Sequence, residues 1–246
     1  MEKLTRLYDI EFDENYNNYH NIIIDIFDNN NLNYDLTDNK ILNIIGLCYQ
    51  YKIKNYDEMK KYYLMAIELK NEKSMNNLAN YYYDQKNYDE MKKYYLMSIE
   101  LNNSTAMNNF GYYYQTIEKN YDEMKKYYLM SIELNNARSM YNLGNYYRDV
   151  EKNYDEMKKY YLMAIKLNNA VSMCNLCDYY KSYLQHHLLR QINSTIAIDR
   201  IKQLEKNNFL GVKIFEELTK YCFNPQRLLR LCNIYEIRFN EYMDII

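Results

Sequence analysis

The stretch NYDEMKKYYLMAIEL, from Asn55 to Leu69, returns three times almost unchanged. The copies begin at Asn87, Asn120 and Asn153, at steps of 32, 33 and 33 residues. A second element recurs between them: SMNNLANYYY from Ser74, AMNNFGYYYQ from Ala106, SMYNLGNYYR from Ser139 and SMCNLCDYYK from Ser172. A weaker copy, ILNIIGLCYQ, begins at Ile41. A fixed period of this length is the sequence mark of a solenoid or array.

Each unit reads as two helices. In the quoted stretch Asn55 is a good N-cap, and Glu58 stands where its carboxylate can reach back to the cap amide. Asp57 and Glu58 complement the positive helix start. Asp57 and Lys61 form an expected i,i+4 pair. The apolar side carries Tyr56, Met59, Tyr63, Ala66 and Ile67, which is helical spacing. The other element places Met75, Leu78, Ala79 and Tyr82 on one side. Ala79 aligns with Gly46, Gly111, Gly144 and Cys177, so a small residue recurs in mid-helix and predicts close approach of the partner helix. Asn102–Asn103 and Asn135–Asn136 follow the second helices, where Asn can take the left-handed conformation that ends a helix. One hairpin cannot bury its own apolar face, but stacked neighbours can. The expected fold is all-α: a right-handed α-α superhelix of about 4–5 helix-turn-helix repeats, with helical caps.

Composition agrees. The chain of 246 residues holds 33 Tyr and 7 Phe but only 4 Gly and 1 Pro. That is too much aromatic surface for a disordered chain, and too few turn formers for a mainly β one. Tyr, Asn, Ile and Lys are AT-rich codons, so part of the bias can come from the genome. With 31 basic and 33 acidic residues the net charge is −2, which argues against a nucleic-acid surface. The start, MEKLTRLYDIEFDE, lacks an apolar core, and no run approaches the roughly 18 apolar residues of a membrane helix. Five Cys without framework spacing suit a reducing compartment. The expected location is the cytoplasm, with no membrane partner.

The unit from Tyr141 to Asn169 resembles a tetratricopeptide repeat: Leu143-Gly144, Tyr147, Tyr154-Asp155 and Tyr161…Ala164 stand in that family's order. The usual Pro after the second helix is missing. The junction from Ser131 to Gly144 is similar to the Sel-one-like branch, although that branch's longer Gly-containing loop inside the hairpin is absent. The units are also similar to repeat proteins of large AT-rich DNA viruses, which suggests a viral protein. The resemblance covers roughly residues 38–183. It implies a non-catalytic protein-binding scaffold that holds its partner on the concave face made by first helices.

The flanks are read as helical. Residues 1–37 form an expected N-terminal cap with an apolar cluster from Ile22 to Phe27, and residues 184–246 form an expected C-terminal helical segment that seals the other end.

Enzyme and metal motifs are wanting. Cys174 and Cys177 with His186 and His187 have the wrong spacing for a zinc finger. The Asp-Glu pairs recur identically in each unit and serve helix starts. No Gly-rich, P-loop, GxSxG or HExxH motif is present. No enzyme activity, cofactor or metal is expected. The Lys-Lys pairs (60/61, 92/93, 125/126, 158/159) form a basic ladder that the nearby carboxylates neutralise.

The Asn column carries the functional expectation. Asn77, Asn109, Asn142 and Asn175 recur on the first helices, and by the resemblance they line the inner groove, where an amide can donate to and accept from a peptide backbone. Asn80, Tyr112, Asn145 and Arg148 complete the candidate peptide-binding groove, with Asn76, Tyr141 and Asp178 as neighbours. Its cations reduce to Arg138, Arg148 and Lys181, so the clamp that grips C-terminal carboxylates in this superfamily is not reproduced. A polar, extended polypeptide is the expected partner, with the protein monomeric or weakly self-associating. The rival reading is an RNA-binding helical-repeat protein, which would need a basic inner face and units that differ.

Overall fold

The computed structural model describes residues 19–29, 34–176 and 178–179. Helix α1 spans His20–Asn29, α2 Asn39–Cys48, α3 Tyr56–Glu68, α4 Glu72–Asp84 and α5 Tyr88–Glu100. Helix α6 spans Ser104–Tyr113, α7 Tyr121–Glu133, α8 Ala137–Tyr146 and α9 Tyr154–Lys166. Every element among the described residues is helical, as the period requires. They fall into two compact units, divided between Lys119 and Asn120.

The junction chemistry explains why these boundaries recur. Asn55, Asn87, Asn120 and Asn153 each accept the amide of the residue three positions on, at the start of α3, α5, α7 and α9. Asn71, Asn103 and Asn136 do the same for α4, α6 and α8. Asn102 and Asn135 take the left-handed conformation with φ 59°. In each Asn-Asn pair the first residue thus ends one helix and the second caps the next. Inside the hairpins that left-handed position is held by Lys54, Lys86, Lys119 and Lys152, with φ from 55° to 59°.

The steps of 32 and 33 residues have a local cause. Helix α4 runs straight into Gln85 and Lys86. After α2, α6 and α8 one extra residue is taken up by a π-helical turn: Tyr49–Ile53, Tyr114–Glu118 and Tyr147–Glu151. A π turn holds one more residue per hydrogen-bonded ring than an α turn, so the extra residue enters without breaking the helix.

Two details differ from the sequence expectation. The Asn55 amide donates to the Tyr49 carbonyl at 3.0 Å, so Glu58 does not reach back to it. The carboxylates pair at i,i+3 instead: Asp57 with Lys60 at 3.0 Å and Glu58 with Lys61 at 2.9 Å. With the cap amide occupied, Glu58 is left to turn along its own helix.

Tyrosines and methionines supply much of the packing. Met59, Met91, Met124 and Met157 are fully buried on the second helices. Parallel ring stacks join the two helices of a hairpin at Tyr49–Tyr62, Tyr82–Tyr94 and Tyr147–Tyr160, with centroids 5.4 to 5.7 Å apart. Such pairs contribute about 1 kcal/mol beyond the area they bury. The recurring small site is a contact point. A Cβ on Gly46 would lie 2.5 Å from the Tyr63 ring, and one on Gly144 would lie 2.6 Å from the Tyr161 ring. In the first unit α1 buries Ile23, Ile26 and Phe27, and the Cys48 thiol donates to the Ile26 carbonyl at 3.7 Å.

Candidate functional site

The first helices bring many of the candidate residues together, and they do so by bonding them to one another. In the first unit Asn77 donates to the Oδ1 of Asn43 at 3.1 Å, and the Ser74 hydroxyl donates to the same oxygen at 2.9 Å. One repeat further, Asn109 donates to Asn76 at 3.1 Å and to Asn80 at 3.2 Å. In the second unit Asn175 donates to Asn145 at 3.3 Å. Asn142 is half-buried on the same column. Each of these bonds runs from one repeat to the one before it, so these amides help set the spacing between first helices.

A second position on the helix behaves differently. Asn80 and Asn145 align, and Tyr112 and Asp178 occupy the same place in their repeats. The Tyr95 hydroxyl donates to Asn80 Oδ1 at 2.6 Å, and the Tyr161 hydroxyl donates to Asn145 Oδ1 at 2.5 Å. The neighbouring Asn amide donates to that same oxygen in both cases. An Asn side chain has one acceptor oxygen and two N–H donors. With Oδ1 doubly engaged, the amide is fixed in orientation, and its Nδ2 makes no hydrogen bond among the described residues. Both side chains are half-buried. Tyr112 is 48% exposed.

The hydroxyls that fix this orientation belong to the KKYY pair of the second helix, where the sequence places Tyr63 and its equivalents on the apolar side. Burial pushes the Tyr95 and Tyr161 phenols up, so they stay protonated as donors. Tyr95 and Tyr161 are the residues that the sequence expectation missed, and the signal was the recurrence of Tyr63, Tyr95, Tyr128 and Tyr161 at one position.

Arg148 is half-buried and grips the adjacent Asp149 with two bonds, at 2.8 and 2.9 Å. The pair holds Asp149 below the usual carboxylate range. Arg138 is exposed, and Lys181 lies outside the described residues.

The basic ladder of the second helices is internally paired. Lys61, Lys93, Lys126 and Lys159 each bond the Glu three residues earlier and lie 4.9 to 5.2 Å from a Tyr ring centroid. Lys92 and Lys125 instead reach the next turn, to Glu118 at 2.7 Å and Glu151 at 2.5 Å. The Lys92 ammonium beside it holds Glu118 below the usual carboxylate range. Burial, assisted by Glu118, pushes the Tyr113 hydroxyl up to about 12.

No group of three or more metal-ligating side chains occurs among the described residues. Cys174 is exposed, while Cys177, His186 and His187 lie outside what is described. No helix among the described residues is long and apolar enough to cross a membrane.

The tetratricopeptide-repeat family model matches residues 72–105 and 137–171. No curated protein matches the chain significantly. Among solved structures the chain is similar to a Sel1 repeat protein from Oxalobacter formigenes, at 21% identity and a TM-score of 0.52, over 59% of this chain and 65% of that one. It is also similar to c5321, a protective antigen of uropathogenic Escherichia coli strains with an SLR fold, at 14% identity and a TM-score of 0.56, over 80% of this chain and 48% of that one. The chain therefore spans 65% and 48% of the length of those proteins, and the likeness is one of fold. Helix pairs in register, Asn-capped junctions and small residues at the helix crossing agree with the two matched stretches, and the fold is that of an all-α helical-repeat protein similar to tetratricopeptide and Sel1-like repeats.

Proposed function

We propose that this protein is a non-catalytic scaffold that holds an extended polypeptide along the face presented by its first helices. Tetratricopeptide and Sel1-like repeats generally mediate protein–protein interaction. The observation that carries the finer reading is the pair Asn80 and Asn145. Each has its oxygen engaged by a tyrosine hydroxyl and a neighbouring amide, and each has an Nδ2 without a partner among the described residues. An amide held this way is a preorganised donor for a backbone carbonyl, and preorganisation reduces the entropy lost on binding. Asn77, Asn109 and Asn175 then set the spacing within each unit, while exposed Tyr112 supplies rigid contact area. The helix α1 is the N-terminal cap in this reading, and the C-terminal segment 184–246 lies outside the described residues. The location proposed is the cytoplasm. Internal pairing of the second-helix lysines favours this reading over RNA binding, which needs cations free for phosphates.

The test separates fold from function. Asp is isosteric with Asn and keeps the acceptor but loses the N–H donors, so Asn80→Asp with Asn145→Asp should preserve the bond to each tyrosine. Affinity purification from the native host, read by mass spectrometry, should enrich defined partners with the wild type and lose most of them with the double variant. Partners retained at wild-type levels would contradict the reading.

A further inference from the structure

Two repeats place the same carboxylate in different company. Counting from Ser139, Arg148 and Asp149 are the tenth and eleventh residues; counting from Ser74, those places are held by Tyr83 and Asp84. In the later repeat the Arg148 guanidinium grips Asp149 through two bonds. In the earlier one the cation is replaced by a tyrosine, and Asp84 makes no ion pair or hydrogen bond among the described residues. Asp84 instead borders a cavity of about 380 Å³ lined also by Gln50, Tyr51, Lys54, Tyr56 and Tyr81. The Tyr56 and Tyr81 rings lie 5.7 Å apart at a 35° tilt, and Tyr56 and Tyr51 are 46% and 39% exposed. Although Asp84 is an exposed residue, burial of its carboxyl pushes its pKa up, the opposite of Asp149. Lys54 is exposed and forms no ion pair with Asp84, so the Asp84 carboxylate stays available to a cation from outside the chain.

We propose that this cavity receives an arginine side chain of a bound polypeptide, its guanidinium paired with Asp84 and laid against the tyrosine rings. Arginine fits better than lysine on three counts. The planar fork matches a carboxylate with two parallel bonds. The guanidinium stacks on aromatic faces, where a hydrated ammonium does so less readily. The same chain also supplies the precedent at Asp149, where a guanidinium makes that two-bond contact. The cavity is large enough for a side chain of that size. The proposal builds on the polypeptide-scaffold reading but concerns a different position on the surface.

The experiment is a titration of the full chain, followed by backbone-amide NMR, with the peptide Ac-Gly-Arg-Gly-NH2 and its lysine and citrulline counterparts. The arginine peptide should produce saturable shifts at Asp84, Gln85, Tyr81 and Tyr56. Citrulline keeps the shape and loses the charge, and should bind at least about tenfold more weakly, with lysine between the two. Asp84→Asn, checked for folding by circular dichroism, should weaken the arginine peptide by a similar factor. Equal binding of citrulline, unchanged binding to Asp84→Asn, or no saturable shift in this region would each overturn the proposal. None of those outcomes touches the Asn80 and Asn145 reading, which the partner-capture experiment tests by itself.

Discussion

The hairpins Glu72–Glu100 and Ala137–Lys166 share nearly the same second helix yet close differently. In the first, α4 ends in an ordinary α turn at Gln85 and Lys86. In the second, one more residue is absorbed by the π turn Tyr147–Glu151. Three contacts change with it. The small site is Ala79 in the first and Gly144 in the second, where the Tyr161 ring approaches too closely for a Cβ. The second turn carries Glu151, which draws Lys125 across from the preceding helix. The first turn has no Glu there, and Lys60 stays on its own helix with Asp57. Arg148 neutralises Asp149, whereas Asp84 is left open. The two hairpins thus differ in how tightly the helices meet, how the repeats are tied and which carboxylate is free.

The largest effect should appear at the small site. Gly144→Ala should destabilise the protein by about 2 kcal/mol, because the Tyr161 ring must shift, although Ala gains some helix propensity. Ala79→Gly should cost about 1 kcal/mol from propensity alone. Thermal or urea unfolding of the pair checks this, and equal losses would break the comparison at its first point. Next come the tyrosine hydroxyls. Tyr161→Phe and Tyr95→Phe should each cost about 1 kcal/mol, since each removes one bond to a recurring Asn. This effect should be the same in both hairpins.

Of similar size and opposite sign, Lys86→Gly and Lys152→Gly should each stabilise by about 1 kcal/mol, because both lysines hold a left-handed backbone. A larger gain at one position would mean that the two turns store different strain. The smallest effect concerns Glu151, which Lys125 holds below the usual carboxylate range. A carboxylate with a lowered folded-state pKa stabilises above its unfolded value, and that contribution is lost as pH falls through the folded one. Glu151→Gln should therefore cost about 0.5 kcal/mol at neutral pH and nothing in acid, because the pair is partly exposed. Chemical denaturation at pH 7 and pH 2.5 reads both points.

Much of this architecture was legible in the residues. The period, the Asn caps and the left-handed Asn102 and Asn135 follow from side-chain chemistry that acts within a few positions. The π turns were visible only as a change of step from 32 to 33, since an extra residue can also enter as a loop. Lysine at the left-handed position carries no conformational signature of its own. The Asn column was found by its spacing, but the orientation of the amides was not. That orientation depends on Tyr95 and Tyr161, which come from the partner helix 15 and 16 residues away in sequence. Asp84 was hidden for a related reason, because its openness shows only against Arg148 in another repeat.

The central claim is that the partner lies on the first helices. A photo-crosslinking amino acid can be placed at Tyr112, on α6 in the Asn80 position, or at Leu96, 43% exposed on the second helix α5. The account predicts that a partner captured from the host crosslinks efficiently from position 112 and little from position 96. Equal labelling from both sites, or stronger labelling from position 96, would contradict it.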